Sequence, residues 1–363
     1  MSKTTSPAGP MKTQWLIYGA NGYSAQLAIE KAVSQGLTPI LAGRNQQVIE
    51  ALAAKHGLQA RVFDLSDVSH VADNLADVKM VSHCAGPFSA TAETMMRACI
   101  QAGAHYTDIT GEMGVFDTAQ KLNAEATKAG VVLCPGVGFD VIPTDCMAGK
   151  LFEAMPDATH LVLGFSSDGA LSQGTAKTSV EMLGEGMKIR RDGKIVTVGR
   201  GYEMRDIDFG KGAVLSSVIP WGDLSTAYWQ TKIPNISVYM PHTGGRMGVI
   251  GFAVIKNLLK LKFVQNFAKK KIEQNITGPS KEQRDKDDTD VFGEVRNAAG
   301  ARITGRLRVP NGYTVTMDGI LITSKFLMGY NGDGGCQTPA QLMGTNLAEQ
   351  LPGAGTFDIS TAD

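Results

Sequence analysis

From residue 14 onward, short apolar runs alternate with segments whose apolar residues recur every three to four positions. "TQWLIYG" is a compact run of β-type residues. "SAQLAIEKAVSQG" follows, with Leu27, Ala28, Ala32 and Val33 at helical spacing and Gly36 as a natural C-cap, and "TPILAGR" is a second short strand. "ALAAKHG" closes another helix, and "ARVFDLSD" is a third strand ending in Asp64. "VADNLADVKMVSHCAGPF" supplies a helix and a strand that runs into Gly86-Pro87. Two further helix and strand units reach "GVGFD". This alternation predicts an α/β fold, a Rossmann-type doubly wound parallel sheet over residues 14–143.

After residue 143 the pattern changes. "THLVLGFSS" reads as a strand and "SQGTAKTSVEMLGEG" as a turn feeding a helix. "GKIVTVGRG", "GAVLSSVIPWGDLSTAYW" and "PNISVYMP" read as strands separated by Gly, Pro and Asn. "FGEVRNAAGARITGRLRVPNGYTVTMDGI" reads as hairpin strands turning at Asn311-Gly312, followed by a helix. Residues 144–325 are expected to form a second α+β domain on an antiparallel sheet. Residues 326–363 are expected to return to the Rossmann domain.

Composition narrows the classes of function. Lys+Arg and Asp+Glu balance at 35 each in 363 residues, so no global field favours nucleic acid or an anionic membrane. Five cysteines without a CxxC pair suit reduced thiols in a cytoplasmic protein. No run of about 18 apolar residues occurs, so no spanning helix is expected. Met247–Ile255, followed by Lys256, Lys260 and Lys262, leaves a peripheral membrane contact over 247–271 open. A homodimer is likewise open. The six histidines show no metal spacing, and no metal site is expected.

"IYGANGYSAQ" lies after a strand and before a helix, the context in which a glycine turn can cradle a diphosphate. Gly19 permits the sharp turn, Gly22 lets backbone approach the anion, and Ala25 allows close helix packing. The helix N–H groups after Gly22 point at the ligand. The second strand ends in Arg44-Asn45 without a carboxylate, which favours a 2′-phosphate and hence NADP(H). In such sheets ligands sit at the carboxyl ends of the strands. The cofactor edge is therefore expected to comprise Gly19, Asn21, Gly22, Tyr23, Ser24, Arg44, Asn45 and Asp64. Cys84, Ala85, Gly86, Pro87 and Phe88 complete it on the far side. Tyr106 and Asp140 are the candidate proton donors. His83 could relay a proton or simply be packed. Gly174 and Thr175 form a candidate substrate contact at a helix start.

"GANGYSA", "AGRN", "HCAGPFS", "YTDITGE" and "GVGFDVIPTD" occur in the order and spacing of the saccharopine dehydrogenase-like oxidoreductases, which the chain resembles. "SQGTAKTSVEML", "GPSKEQR" and "TPAQLMG" extend the resemblance, which is strongest to the branch with the trans-acting enoyl reductases. It implies a nicotinamide cofactor at Gly19, Gly22, Tyr23 and Arg44, with the ring near Ala85–Phe88, and an inserted substrate domain. True saccharopine dehydrogenases hold a dicarboxylic amino acid with charged residues, and no such set is matched, which puts an amino-acid substrate in doubt. The leading expectation is NADP(H)-dependent reduction of an activated double bond, an enoyl-type C=C of a small or acyl substrate. A C=N oxidoreductase of the imine or opine type stands beside it. So does a non-catalytic, NADPH-bound scaffold or lipid-surface protein.

Overall fold

The computed structural model describes residues 12–167, 186–199, 204–242 and 278–361, with isolated positions such as Gly174 and Tyr202 between them. The first sheet is built from β1 (Gln14–Tyr18), β2 (Ile40–Gly43), β3 (Ala60–Val62), β4 (Val78–His83), β5 (His105–Asp108) and β6 (Val132–Cys134). The helices between them are α1 (Tyr23–Ser34), α2 (Gln46–His56), α3 (Val68–Asp73), α4 (Phe88–Ala102), α5 (Met113–Lys121) and α6 (Asn123–Ala129). Every strand pair in this sheet is parallel. The strand order is β15-β6-β5-β4-β1-β2-β3, where β15 is the two-residue strand Gly335–Cys336. This is the doubly wound order, and the direction of winding reverses between β1 and β4. That reversal opens a crevice above the two strands.

The apolar alternation explains which faces are buried. Ile17 of β1 packs with Ala25, Ala28, Ile29 and Ala32 of α1. Leu16 and Tyr18, of opposite parity, join Met95, Met96 and Cys99 of α4 in a second cluster on the other face.

Helix α7 (Ile142–Ala154) leads into the second sheet. Its strands are β7 (Ala158–Ser167), the hairpin β8 (Lys188–Arg191) and β9 (Lys194–Thr197), β10 (Arg205–Asp208), β11 (Ala213–Val218), β12 (Asn235–Pro241), β13 (Asp288–Asn297), β14 (Arg302–Pro310) and β16 (Asp358–Thr361). The sheet is mixed rather than purely antiparallel, because β7 and β12 run parallel at its centre. Two expectations are corrected here. Asp223–Thr231 is a helix, α8, rather than strand, and it docks on α5 with Phe116 and Trp229 edge to face at 6.0 Å. The β13–β14 hairpin turns at Asn297–Ala301, with Gly300 at φ +89°. Asn311 instead caps α10 (Gly312–Met328), accepting the Tyr313 N–H at 3.0 Å. The charged stretch before β13 holds a helical turn, α9 (Lys281–Arg284), with a Ser280–Gln283 capping box.

The return to the first sheet begins before residue 326. Helix α10 already packs on α1, where Lys31 pairs with the buried Asp318, and Ser324 bonds Ser82 of β4 at 3.1 Å. β15 then extends the first sheet, α11 (Pro339–Met343) packs on α7, and β16 pairs with β14 of the second sheet. The final segment thus serves both sheets, because α7 lies between them. Among the described residues no helix is long and apolar enough to cross a membrane. Residues 247–270 of the basic amphipathic segment, and Thr175, lie outside the described residues.

Candidate functional site

The turn after β1 is the tightest approach in the first domain. Gly19 has φ +77°, and a Cβ there would lie 2.7 Å from the Ala85 nitrogen. The loops after β1 and β4 therefore touch backbone to backbone at the crevice, which only glycine allows. The Gly19 and Ala20 N–H groups donate to Ala42 O, at 2.9 and 3.1 Å, and Gly22 N–H donates to Gly19 O at 2.9 Å. The turn is closed on itself.

The helix that follows has a bare N-terminus. In α2 the Asn45 side chain accepts the Val48 N–H, and in α3 Asp67 accepts the His70 N–H. In α4 the Glu112 carboxylate accepts the Phe88 and Ser89 N–H groups at 3.0 and 2.7 Å. Of these four helices α1 alone has no side-chain oxygen accepting the N–H groups of its first turn. Its unpaired N–H groups and positive dipole end face the crevice beside Gly22, a cradle suited to a diphosphate. Asn21 is exposed and Ser24 half-buried on the same turn.

Arg44 stands at the end of β2, exposed, with no hydrogen bond or ion pair to a described residue. Asp64, one strand further out, is exposed and accepts the Ser66 N–H and hydroxyl at 3.0 and 2.5 Å. Those bonds hold its carboxyl below the usual range. Cys84 is held neutral by burial, its pKa pushed up to about 12. Ala85, Gly86, Pro87 and Phe88 line the β4 side, but the Phe88 amide is already spent on Glu112. These residues fit a dinucleotide carrying a 2′-phosphate: a glycine-forced close approach, a free helix N-terminus and an unpartnered guanidinium.

Tyr23 faces the second domain. Its hydroxyl donates to Pro279 O at 2.5 Å and accepts from Arg284 of α9 at 2.8 Å. Its ring meets that of Tyr313 edge on, at 5.1 Å. Tyr313 in turn accepts the Ser172 N–H, two residues before the exposed Gly174. The glycine turn, α9 and the start of α10 therefore meet at Tyr23.

The two proton-donor candidates part company. Tyr106 is fully buried inside β5 against α4 and donates to Asp108 Oδ2 at 2.6 Å. It is the second residue of its strand rather than its end, so its ring points into the core, and the expectation that it reaches substrate is corrected. Asp108 also accepts the Thr110 and Gly136 N–H groups, at 3.0 and 2.8 Å, which makes "YTDITGE" a brace between two strand ends. His83 is also packed, among Tyr18, Phe88 and Tyr106. Burial lowers its pKa to about 3, so it stays neutral.

Asp140 lies in the turn between β6 and α7, half-buried, and its carboxyl has no hydrogen-bond partner among the described residues. It lies so close to Gly111 that a Cβ there would meet Asp140 Oδ2 at 2.8 Å. Burial pushes its pKa up to about 7. Trp221 Nε1 donates to the Asp140 carbonyl at 2.9 Å, and Phe139, Phe165 and Trp221 form an aromatic wall with ring centroids 5.3 and 4.9 Å apart. The first turn of α10 touches both halves of the site. Tyr313 packs on Tyr23, while Thr316 accepts the Phe139 N–H at 3.0 Å. Tyr313 carries no assigned role in the sequence, while Arg284 and Glu112 enter only as the last residues of the "GPSKEQR" and "YTDITGE" motifs.

The comparisons agree with this geometry. Residues 15–134 match the family model of the saccharopine dehydrogenase NADP binding domain. The human saccharopine dehydrogenase-like oxidoreductase is 29% identical over 150 residues, 36% of this chain, and the match spans only 35% of its own length. A Mycobacterium tuberculosis protein with the provisional name trans-acting enoyl reductase is 23% identical over 96% of this chain and 97% of its own. The apo saccharopine dehydrogenase of Saccharomyces cerevisiae superposes with a TM-score of 0.66 at 14% identity, covering 97% of this chain and all of that one, which is a likeness of fold. With the glycine turn, the free α1 terminus and Arg44, residues 15–134 form a saccharopine dehydrogenase NADP binding domain whose cofactor is NADP(H), and the chain as a whole is similar to the saccharopine dehydrogenase-like oxidoreductases.

Proposed function

We propose that the protein is an NADPH-dependent reductase acting on an enoyl-type C=C bond of a small or acyl substrate. Asp140 carries the proposal: a carboxyl that is half protonated near neutral pH, lacks a partner, and stands beside an aromatic wall. Bound NADPH supplies a hydride from its nicotinamide. Gly19, Gly22 and the first turn of α1 hold the diphosphate, and Arg44 the 2′-phosphate. Asp140 holds the proton for the carbon next to the one that is reduced. Phe139, Phe165 and Trp221 keep bulk water from that carboxyl and offer an apolar surface to an acyl chain.

The absence of any cation acting on Asp140 among the described residues speaks against a dicarboxylic amino acid, and so against the saccharopine-type C=N reading. NADPH oxidation against a panel of enoyl thioesters, enones and imines tests the assignment. Turnover of enoyl substrates is expected to fall about 100-fold in Asp140→Asn with NADPH affinity unchanged. Imine turnover alone, or full activity of Asp140→Asn, would remove the proposal. Tight NADPH binding without any turnover would favour the scaffold.

A further inference from the structure

The second sheet carries a charged groove on the face turned away from α7. Gly293 of β13 packs on Met147 and Leu151 of α7, so its neighbours Glu294 and Arg296 of the opposite parity point outward. The strand register places Asn235, His160, Arg296 and Arg302 in one row across β12, β7, β13 and β14. These residues, with Arg191 and Arg205 beside them, line a groove of about 360 Å³.

The charges there do not balance. Arg296 and Arg302 are direct cross-strand partners, an arrangement of like charges that ordinarily destabilises a ladder. The one carboxylate lining the groove, Glu294, is shared between Arg205 at 3.0 Å and Arg302 at 4.0 Å. Arg296 makes no ion pair or side-chain hydrogen bond with any described residue. Arg191 is engaged only by the Tyr202 hydroxyl at 2.8 Å and that ring's face. Arg190, also in the lining, spends its guanidinium on the Leu224 and Gly193 carbonyls at 2.6 Å each. Among the described residues, Arg191, Arg296 and Arg302 thus stand beside one lining carboxylate, in a chain whose formal net charge is zero.

An anion across Arg296 and Arg302 would relieve that repulsion. The planar fork of arginine matches phosphate oxygens two at a time. The groove falls in the size range of small-molecule sites and exceeds what an isolated phosphate fills. We propose that this groove binds an organic phosphate, the phosphomonoester or diphosphate group of a small molecule seated across Arg296 and Arg302.

The probe is inorganic pyrophosphate, titrated calorimetrically into full-length protein already saturated with NADPH, so that the nucleotide crevice is filled. Saturable binding of one equivalent is expected. It should weaken about tenfold or more in Arg296→Gln and in Arg302→Gln, and stay unchanged in Arg44→Ala. Both residues are exposed, and removing either relieves repulsion, so neither variant should melt earlier than wild type without pyrophosphate. Parallel sedimentation with phosphatidylcholine vesicles containing phosphatidylserine separates a lipid headgroup from a free phosphate. No saturable pyrophosphate binding overturns the proposal. So does binding lost with Arg44 rather than Arg296, or binding to anionic vesicles alone.

Discussion

The close approach at Gly19 gives the sharpest test of the nucleotide site, because a second glycine serves as its control. Gly19→Ala would place a Cβ 2.7 Å from the Ala85 nitrogen and 2.8 Å from its Cα, in a backbone held at φ +77°. The obstructing atoms are main chain and cannot rotate aside. A left-handed φ costs an L-residue about 1–2 kcal/mol, and forcing packed atoms apart adds about 1–3 kcal/mol. The expected loss is therefore about 2–5 kcal/mol, which a domain of ordinary stability survives. Gly36, after α1, has nearly the same φ, +74°, but nothing within 4 Å of its would-be Cβ. Gly36→Ala should lose only the conformational part, about 1–2 kcal/mol. Urea denaturation of the two variants, with NADPH titration by fluorescence, measures the difference. Gly19→Ala should unfold earlier than Gly36→Ala and bind NADPH at least about tenfold more weakly, since the β1 and β4 loops must separate where the diphosphate lies. Equal denaturation midpoints, or wild-type NADPH affinity in Gly19→Ala, would refute the claim that this contact shapes the cofactor site.

Arg44→Ala should weaken NADPH binding by about 1.5–3 kcal/mol and leave NADH binding unchanged, so equal losses for both cofactors in calorimetry would count against a 2′-phosphate contact. Tyr106→Phe removes the buried donor to Asp108 Oδ2 and should cost about 1–3 kcal/mol of stability; turnover should persist, and a selective loss of turnover in a stably folded variant would return Tyr106 to the chemistry. Asp140 has its pKa raised by burial to about 7, so its contribution to stability is complete below its ordinary value and is lost as pH rises through about 7. Thermal melts should accordingly show Asp140→Asn gaining on wild type between pH 5 and pH 8, by about 2–3 kcal/mol, and parallel pH profiles for the two proteins would contradict the raised pKa.

Much of the first domain was legible because its signals are local. Each strand and helix announces itself by period, and the glycine turn sits between a strand and a helix where the physics needs it. The misread elements are those where one residue pattern satisfies two backbones. Asn311-Gly312 can make a hairpin turn, but the same short amide can cap a helix, and only the packing of α10 on α1 decides. "DLSTAYWQT" is rich in strand-prone residues, yet its buried face against α5 makes it helical. Tyr106 is a candidate proton donor by its residue type, but it is the second residue of β5 and its ring is fully buried against α4, which only the packing reveals. "YTDITGE" enters the sequence reading only as a motif of the family resemblance. The structure uses Asp108 and Glu112 to satisfy backbone donors, a role that needs the three-dimensional neighbours to be seen.

The strongest constraint on the site comes from α10, which sequence spacing does not connect to either half of it. Its first turn carries Tyr313, packed on Tyr23 of the cofactor turn, and Thr316, bonded to the backbone beside Asp140. Farther along, Asp318 pairs with Lys31 of α1 and Ser324 bonds Ser82 of β4. The helix is therefore fixed to the first sheet at two points beyond the turn that spans the site. In the proposed reduction, hydride and proton must reach adjacent atoms of one substrate, and misplacement by about 1 Å can cost two orders of magnitude in rate. Asp140 on the β6–α7 turn, the proton donor proposed above, and a cofactor cradle carried on the β1–α1 turn would otherwise be related only through the sheet. Because one rigid helical turn contacts both, their separation is set by packing within α10 rather than by loop conformation. The second domain then contributes the aromatic wall and, through Arg284 on Tyr23, a further tie to the cofactor turn.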